Sequence, residues 1–84
     1  MEAGQTMIDR TYTTASGMVK KTAKAKQSWA NGNSDLHVLH MTRRGAFWLE
    51  CIGADGVAIA KDIDRVDAKD WLEGYGFELP EVLR

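Results

Sequence analysis

Two histidines, one cysteine and a run of carboxylates are the residues of this 84-residue chain whose chemistry first suggests a site. His37 and His40 are three positions apart, and on a strand that spacing places their side chains on opposite faces, so they cannot easily share a metal ion. Cys51 has no second cysteine that could join it in a zinc site or a disulfide. We therefore expect no metal and no cofactor.

The patterns that mark common enzyme sites are missing from the sequence. Serine nucleophiles need a neighbouring base and donors for an oxyanion, and no stretch resembles a nucleophile elbow. Gly74-Tyr75-Gly76 follows a predicted helix and not a strand, which argues against a dinucleotide-binding turn. The carboxylates between residues 62 and 73 fit a capped, solvated helix start without any acid–base role. We predict that the protein is not an enzyme.

A lysine-rich run gives the sharpest signal for a binding site. Lys20-Lys21-Thr22-Ala23-Lys24 resembles the run that opens the last helix of double-stranded RNA-binding domains, whose lysines grip phosphates. That family places this helix after its three strands, whereas here the run precedes the predicted strands. A second basic pair lies at a predicted hairpin turn, where it can reach phosphates too. The candidate nucleic-acid-binding residues are Lys20, Lys21, Lys24, Arg43 and Arg44; the alternative is an ordinary solvated helix face and turn.

The charges are divided unevenly along the chain, although the net charge is only −1. Residues 1–45 carry seven basic side chains and three acidic ones, and residues 46–84 carry four and nine, giving +4 and −5. Such asymmetry points to an electrostatic partner, or to attraction between the two halves. The acidic and aromatic residues expected to share one surface are Asp62, Asp64, Asp67, Asp70, Glu73, Trp71 and Tyr75.

That surface makes another protein the favoured partner. Carboxylates beside aromatic rings can occupy a basic surface of a second protein, as small phage-encoded inhibitors of similar size and charge do. The favoured function is therefore a small non-enzymatic interaction protein, such as an inhibitor or regulator, that binds another protein. A nucleic-acid-binding module is the alternative, and a small hydrolase or ligand-binding enzyme subunit is the third class.

The stretch from Phe47 to Ile63 predicts two strands, because it is rich in β-branched and aromatic residues. Asp55-Gly56 is a strong signal for a two-residue type I′ turn, which would place Trp48 opposite Ile63. Upstream, residues 42–46 read as a loop closed by Gly45 in the left-handed region. The expected sheet is a three-stranded antiparallel meander at about 36–42, 46–52 and 57–63.

Helices are expected on both sides of this meander. Met18, Thr22, Ala25 and Trp29 have the spacing of an amphipathic helix that starts near residue 13 and runs to about residue 30. Asp67 is a candidate N-cap for a short helix that ends at Gly74. The fold class is thus a single small α+β domain of order α-β-β-β-α over residues 13–84, preceded by a flexible segment, residues 1–12.

Both predicted sheet faces are largely apolar, which suggests an interface. The C-terminal segment is short and broken by glycines, so it should leave part of one face open for a two-fold dimer or a partner. Trp48, Ile59 and Phe77 are the expected interface residues. No apolar run reaches the roughly 20 residues that span a bilayer, so no membrane partner is expected. The presence of a single cysteine fits a cytoplasmic location.

Overall fold

Residues 10–33 and 35–84 are described by a computed structural model, which consists mostly of β-sheet. A four-stranded antiparallel sheet is formed in the order β3-β4-β5-β6. A separate hairpin, β1-β2, precedes it, and one helix, α1, follows it. The bounds are β1 Thr11–Thr13, β2 Val19–Lys21, β3 Gln27–Ala30, β4 Leu36–Met41, β5 Phe47–Ile52, β6 Ala58–Ile63 and α1 Arg65–Gly74, with 3₁₀ turns at Thr22–Lys24 and Glu81–Leu83.

One type of turn closes three of the four described hairpins, namely β1-β2, β4-β5 and β5-β6. In each, the N–H of the first loop residue donates to the carbonyl of the fifth, and the N–H of the fourth, a glycine, donates back to the first. The glycines are Gly17, Gly45 and Gly56, with φ of 86°, 81° and 87°. Because side chains other than glycine rarely adopt such φ values, these three positions fix where the chain reverses.

The predicted N-terminal helix is wrong, and with it the α-β-β-β-α layout. The segment instead forms the β1-β2 hairpin, a 3₁₀ turn and the edge strand β3. Gly17 turns the chain in the left-handed conformation, and Trp29 then pairs with Leu39 of β4. The segment that contains Trp29 therefore forms a strand that pairs with the free edge of β4, although its apolar residues have the spacing of a helix. The resemblance to the helix of double-stranded RNA-binding domains is lost too.

The meander itself lies where the sequence places it, but one register is shifted. Between β4 and β5 the expected pairs are found, with Met41 opposite Phe47. Between β5 and β6 the expected pair of Trp48 and Ile63 is wrong, since Ile63 lies opposite Phe47. A type I′ turn requires positive φ at Asp55 as well as Gly56, and among the described residues only glycines have it. A one-residue slip turns every side chain of β6 to the other face.

With this register, Ile63 lies on the same side of the sheet as Phe47 and packs against the apolar core. This side is called here the helix face. There Trp29, Leu39, Met41 and Phe47 pack with the helix and the C-terminal turn. The remaining core residues are Ala68, Leu72 and Leu83, with Leu49, Ile63, Trp71, Phe77 and Leu79 around them. The N-cap of α1 is Asp64, three residues before the predicted Asp67, whose N–H it accepts at 2.8 Å.

The opposite side, called here the hairpin face, carries His40, Trp48, Glu50 and Asp62 and is covered by the β1-β2 hairpin. Tyr12 of β1 packs against Trp48, with ring centroids 6.0 Å apart. The expected flexible segment, residues 1–12, lies outside the described residues up to position 9, and its last part belongs to this hairpin. Within the described chain, no helix has the length and apolar character needed to cross a membrane.

Candidate functional site

The five predicted phosphate-binding cations lie around one groove, although the helix that was expected to carry the three lysines is not formed. The groove encloses about 790 Å³ between the β2 segment and the β4-β5 turn. It is lined by Lys20, Lys21, Lys24, Arg43 and Arg44, together with Met18, Val19, Ala23, Thr42, Ala46 and Trp48. No carboxylate is among these described lining residues, so the groove carries concentrated positive charge.

Four of the five cations are available to a ligand. Lys21, Lys24, Arg43 and Arg44 are exposed, and none forms an ion pair with another described residue. Lys20 differs, because its Nζ lies 3.1 Å from the Asp62 carboxylate and only 15% of its side chain is exposed. The hydrogen bond from Lys20 also lowers the pKa of Asp62.

A second polar site lies beneath the β1-β2 hairpin, around Glu50, which is fully buried. The Glu50 carboxylate accepts hydrogen bonds from both Nε and Nη2 of Arg10, and from the Tyr12 hydroxyl at 2.5 Å. His40 Nε2 lies 3.0 Å from Oε1 of the same carboxylate. A charged group out of water is tolerated only when it is paired and hydrogen-bonded in this way.

These partners decide the charge of Glu50. Burial alone would raise its pKa, but hydrogen bonds from Arg10, Tyr12 and His40 outweigh burial and hold the pKa at about 2. The same carboxylate raises the pKa of Arg10 through their hydrogen bond. Burial, followed by the hydrogen bond to Glu50, raises the pKa of Tyr12. At neutral pH the site therefore holds a carboxylate, a guanidinium and a neutral phenol.

The network extends from Glu50 to the edge of the sheet through His40. The imidazole stacks on Trp48, with centroids 4.3 Å apart and ring planes at 24°. Its Nδ1 lies 2.6 Å from the hydroxyl of Ser28, the residue opposite it on β3. Ser28 is exposed, whereas His40 is 4% exposed. A line of three hydrogen-bonded side chains thus runs from solvent to the buried carboxylate.

The predicted acidic and aromatic surface is brought together only in part. Asp67, Asp70 and Glu73 are exposed and follow one another at three-residue spacing along α1. Asp64 is occupied as the N-cap, and Asp62 lies on the hairpin face beside Lys20.

The aromatic side chains of that surface form a cluster at the end of α1. Trp71 stacks against Phe77 and contacts Tyr75, whose side chain is 45% exposed. The Trp71 Nε1 atom is buried and has no hydrogen-bond partner among the described residues. Of the seven residues predicted to share this surface, the three carboxylates on α1 and the exposed Tyr75 remain available to a partner.

The predicted interface residues do not share a surface. Trp48 is 1% exposed beneath the hairpin, so a partner cannot reach it in this fold. Ile59 is 52% exposed and lies opposite Cys51, on the side of the helix face. Phe77 is half-buried against the core. Burial raises the pKa of the Cys51 thiol, which disfavours the reactive thiolate form.

The Glu50 network was not predicted, although the sequence contains part of the evidence for it. Strand alternation already places His40 and Glu50 on one face of neighbouring strands, where diagonal side chains can meet. Arg10, Tyr12 and Ser28 were out of reach, because they belong to segments that were interpreted as a loose terminus and a helix.

The described residues include no group of three His, Cys, Asp or Glu side chains close enough to hold a metal ion. No protein-family model matches the chain, and comparison with curated proteins and with solved structures also finds no match. Its function is therefore argued from its own side chains.

Proposed function

We propose that this protein binds nucleic acid through the phosphate backbone, with the basic groove as its binding surface. The observation that carries the proposal is the meeting of five cations from two separate segments around one concave surface, with no carboxylate among the described lining residues. Phosphate contacts of this kind supply most of the sequence-independent affinity for nucleic acid. A protein in the cytoplasm would encounter such ligands. Binding phosphates through lysine and arginine side chains requires no cofactor.

The lining favours a duplex over a single strand. Proteins that hold single strands stack the bases on exposed aromatic rings, and the one aromatic residue of the groove, Trp48, is 1% exposed. Asparagine, glutamine and carboxylate side chains, which recognise the edges of adenine and cytosine, do not occur among the lining residues of the described chain. The lysines and arginines that remain are suited to contact the phosphates of a duplex backbone.

The salt dependence of binding tests this proposal. With four available cations, log K for a fluorescently labelled DNA duplex should fall with log salt at a slope of about −3.6. Affinity should then drop on the order of a hundredfold when salt rises fourfold. Replacing both Lys24 and Arg44 by alanine should flatten the slope by about two.

A matched control removes two cations elsewhere. Lys61 and Lys69 are exposed and do not line the groove, so the double alanine variant should keep the parent slope. Equal losses in the two double variants, or no binding at low salt, would overturn the proposal. Polyglutamate serves as the competing acidic polypeptide, and tighter binding of polyglutamate than of the duplex would also overturn it.

A protein partner for the acidic side of α1 is the second candidate function. The observation that favours it is exposed Tyr75 at the end of α1, the helix that also carries the exposed Asp67, Asp70 and Glu73, since tyrosine is enriched where partners bind. Tyr75→Glu should then abolish capture of a protein from the native host, in the presence of nuclease, without changing duplex binding. Capture that nuclease removes would count against this second function.

A further inference from the structure

The arrangement of Ser28, His40 and Glu50 has the composition of a catalytic triad. The Ser28 hydroxyl lies 2.6 Å from one ring nitrogen of His40, and the other ring nitrogen lies 3.0 Å from the Glu50 carboxylate. Three neighbouring strands supply the three residues, so the sheet holds them at fixed spacing. The serine is exposed to solvent, and the base and the acid behind it are buried.

Hydrogen-bond chemistry determines which way the protons point. An ionised carboxylate only accepts, and Arg10 and Tyr12 keep Glu50 ionised. His40 Nε2 must therefore donate to Glu50, and when the imidazole is neutral its lone pair is on Nδ1. That lone pair accepts the hydroxyl proton of Ser28. A serine is activated in this way when its partner histidine is oriented by a carboxylate.

The two ring nitrogens have exchanged roles relative to the serine proteases, where Nε2 faces the serine. Either nitrogen of a neutral imidazole can take a proton, so the exchange leaves the chemistry unchanged. What differs is the approach. Ser28 is an exposed residue on β3, an edge strand of its sheet, and it does not lie at the bottom of a deep pocket.

We propose that Ser28 is the nucleophile of a Ser28–His40–Glu50 triad that accepts an acyl group from a carboxylic ester. Ser28 Oγ forms a bond to the ester carbonyl carbon while its proton moves to His40 Nδ1 and the π electrons of the carbonyl move to its oxygen, which gives a tetrahedral oxyanion that re-forms the carbonyl in the next step. The bond from that carbon to the leaving oxygen then breaks, and His40 returns the proton to the departing alcohol. Water then attacks the acyl carbon while Nδ1 takes its proton, the bond from that carbon to Ser28 Oγ breaks, and His40 returns the proton to Ser28, so that the carboxylic acid leaves and the serine is restored. Arg10 and Tyr12 are positioning residues for Glu50.

This site is separate from the basic groove, which Ser28, His40 and Glu50 do not line. The proposal therefore goes beyond nucleic-acid binding and does not depend on it. The Lys24 and Arg44 double alanine variant should bind the duplex more weakly, with the flattened salt slope given above, and keep its reactivity with esters.

The chain contains its own control for serine reactivity. Ser16 is also exposed, but its hydroxyl donates to the Asp62 carboxylate at 2.9 Å instead of to an imidazole. A fluorophosphonate probe, followed by peptide mass spectrometry, should label Ser28 and leave Ser16 unmodified. Labelling of Ser28 at or below the level of Ser16 would overturn the proposal.

Hydrolysis of p-nitrophenyl acetate gives the second measurement. Ser28→Ala removes an exposed hydroxyl and should fold normally, so an unchanged rate in that variant contradicts the triad. His40→Gln should slow acylation about a hundredfold or more, as expected for loss of a general base. Because a buried substitution can prevent folding, Ser28→Cys is the third variant. Its thiol should retain a burst of p-nitrophenolate, and a variant without a burst would count against a nucleophile at this position.

Discussion

The two faces of the central sheet are stabilised in different ways. The helix face buries Leu39, Phe47 and Leu72 against one another and the C-terminal turn. The hairpin face instead buries a carboxylate and attaches a small hairpin to it through Arg10 and Tyr12. Apolar contacts have no preferred direction and tolerate small shifts, whereas an ion pair out of water needs fixed geometry. The helix face should therefore carry most of the stability, and the hairpin face most of the sensitivity to pH and to single charges.

The largest effect is expected on the helix face. Phe47 is 4% exposed in the middle of the core, and Phe47→Ala should lower the free energy of unfolding by roughly 3–5 kcal/mol through lost burial and the cavity left behind. Urea denaturation followed by tryptophan fluorescence measures the change. Val57, 63% exposed at a hairpin turn, is the control, and Val57→Ala should change stability by less than about 0.5 kcal/mol. Similar midpoints for the two variants would mean that the core is not centred on Phe47.

Acid should act mainly on the hairpin face. Glu50 titrates at about pH 2 in the folded chain, against an ordinary value of 4.5, so the unfolded state takes up the proton first. The stabilisation from its ionised form is complete above about pH 5 and is lost as pH falls towards 2. That shift corresponds to about 3 kcal/mol.

A neutral variant isolates this contribution. Glu50→Gln keeps the shape of the side chain and cannot titrate, so the difference in unfolding free energy between wild type and variant should shrink by about 3 kcal/mol from pH 7 to pH 2. Chemical denaturation across that range measures the difference. A constant difference would show that Glu50 does not stabilise the hairpin through its charge.

The same contrast explains what could be predicted from the sequence. The strands of the meander follow from local composition, and the Gly45 turn follows from the need for a positive φ. The identical turn at Gly17 was hidden, because apolar residues around it also fit a helical spacing. Which pattern prevails depends on the open edge of β4, a tertiary feature that no local window contains.

The candidate sites show the same limit. The five cations of the groove could be named from residue type alone, yet their meeting depends on a hairpin that was not predicted. The Glu50 network joins residues up to 40 positions apart, and only the folded sheet brings Arg10 and Ser28 to His40 and Glu50. Charge identifies candidates, and topology decides which of them become one site.

The smallest expected effect on stability concerns the rim of the hairpin face, and it links this face to the groove. Asp62 pairs with Lys20 at 3.1 Å, but its side chain is 46% exposed, so the pair should contribute no more than about 1 kcal/mol. Asp62→Asn should therefore leave the urea midpoint nearly unchanged. It should also free Lys20 as a fifth cation, making the slope of log K against log salt steeper by about 0.9 for a DNA duplex. Asp70→Asn, an exposed carboxylate on α1, removes the same charge away from Lys20 and should keep the parent slope. If both variants steepen the slope equally, the net charge of the protein governs binding and not the release of Lys20. The groove would then not be the specific surface that binds the duplex.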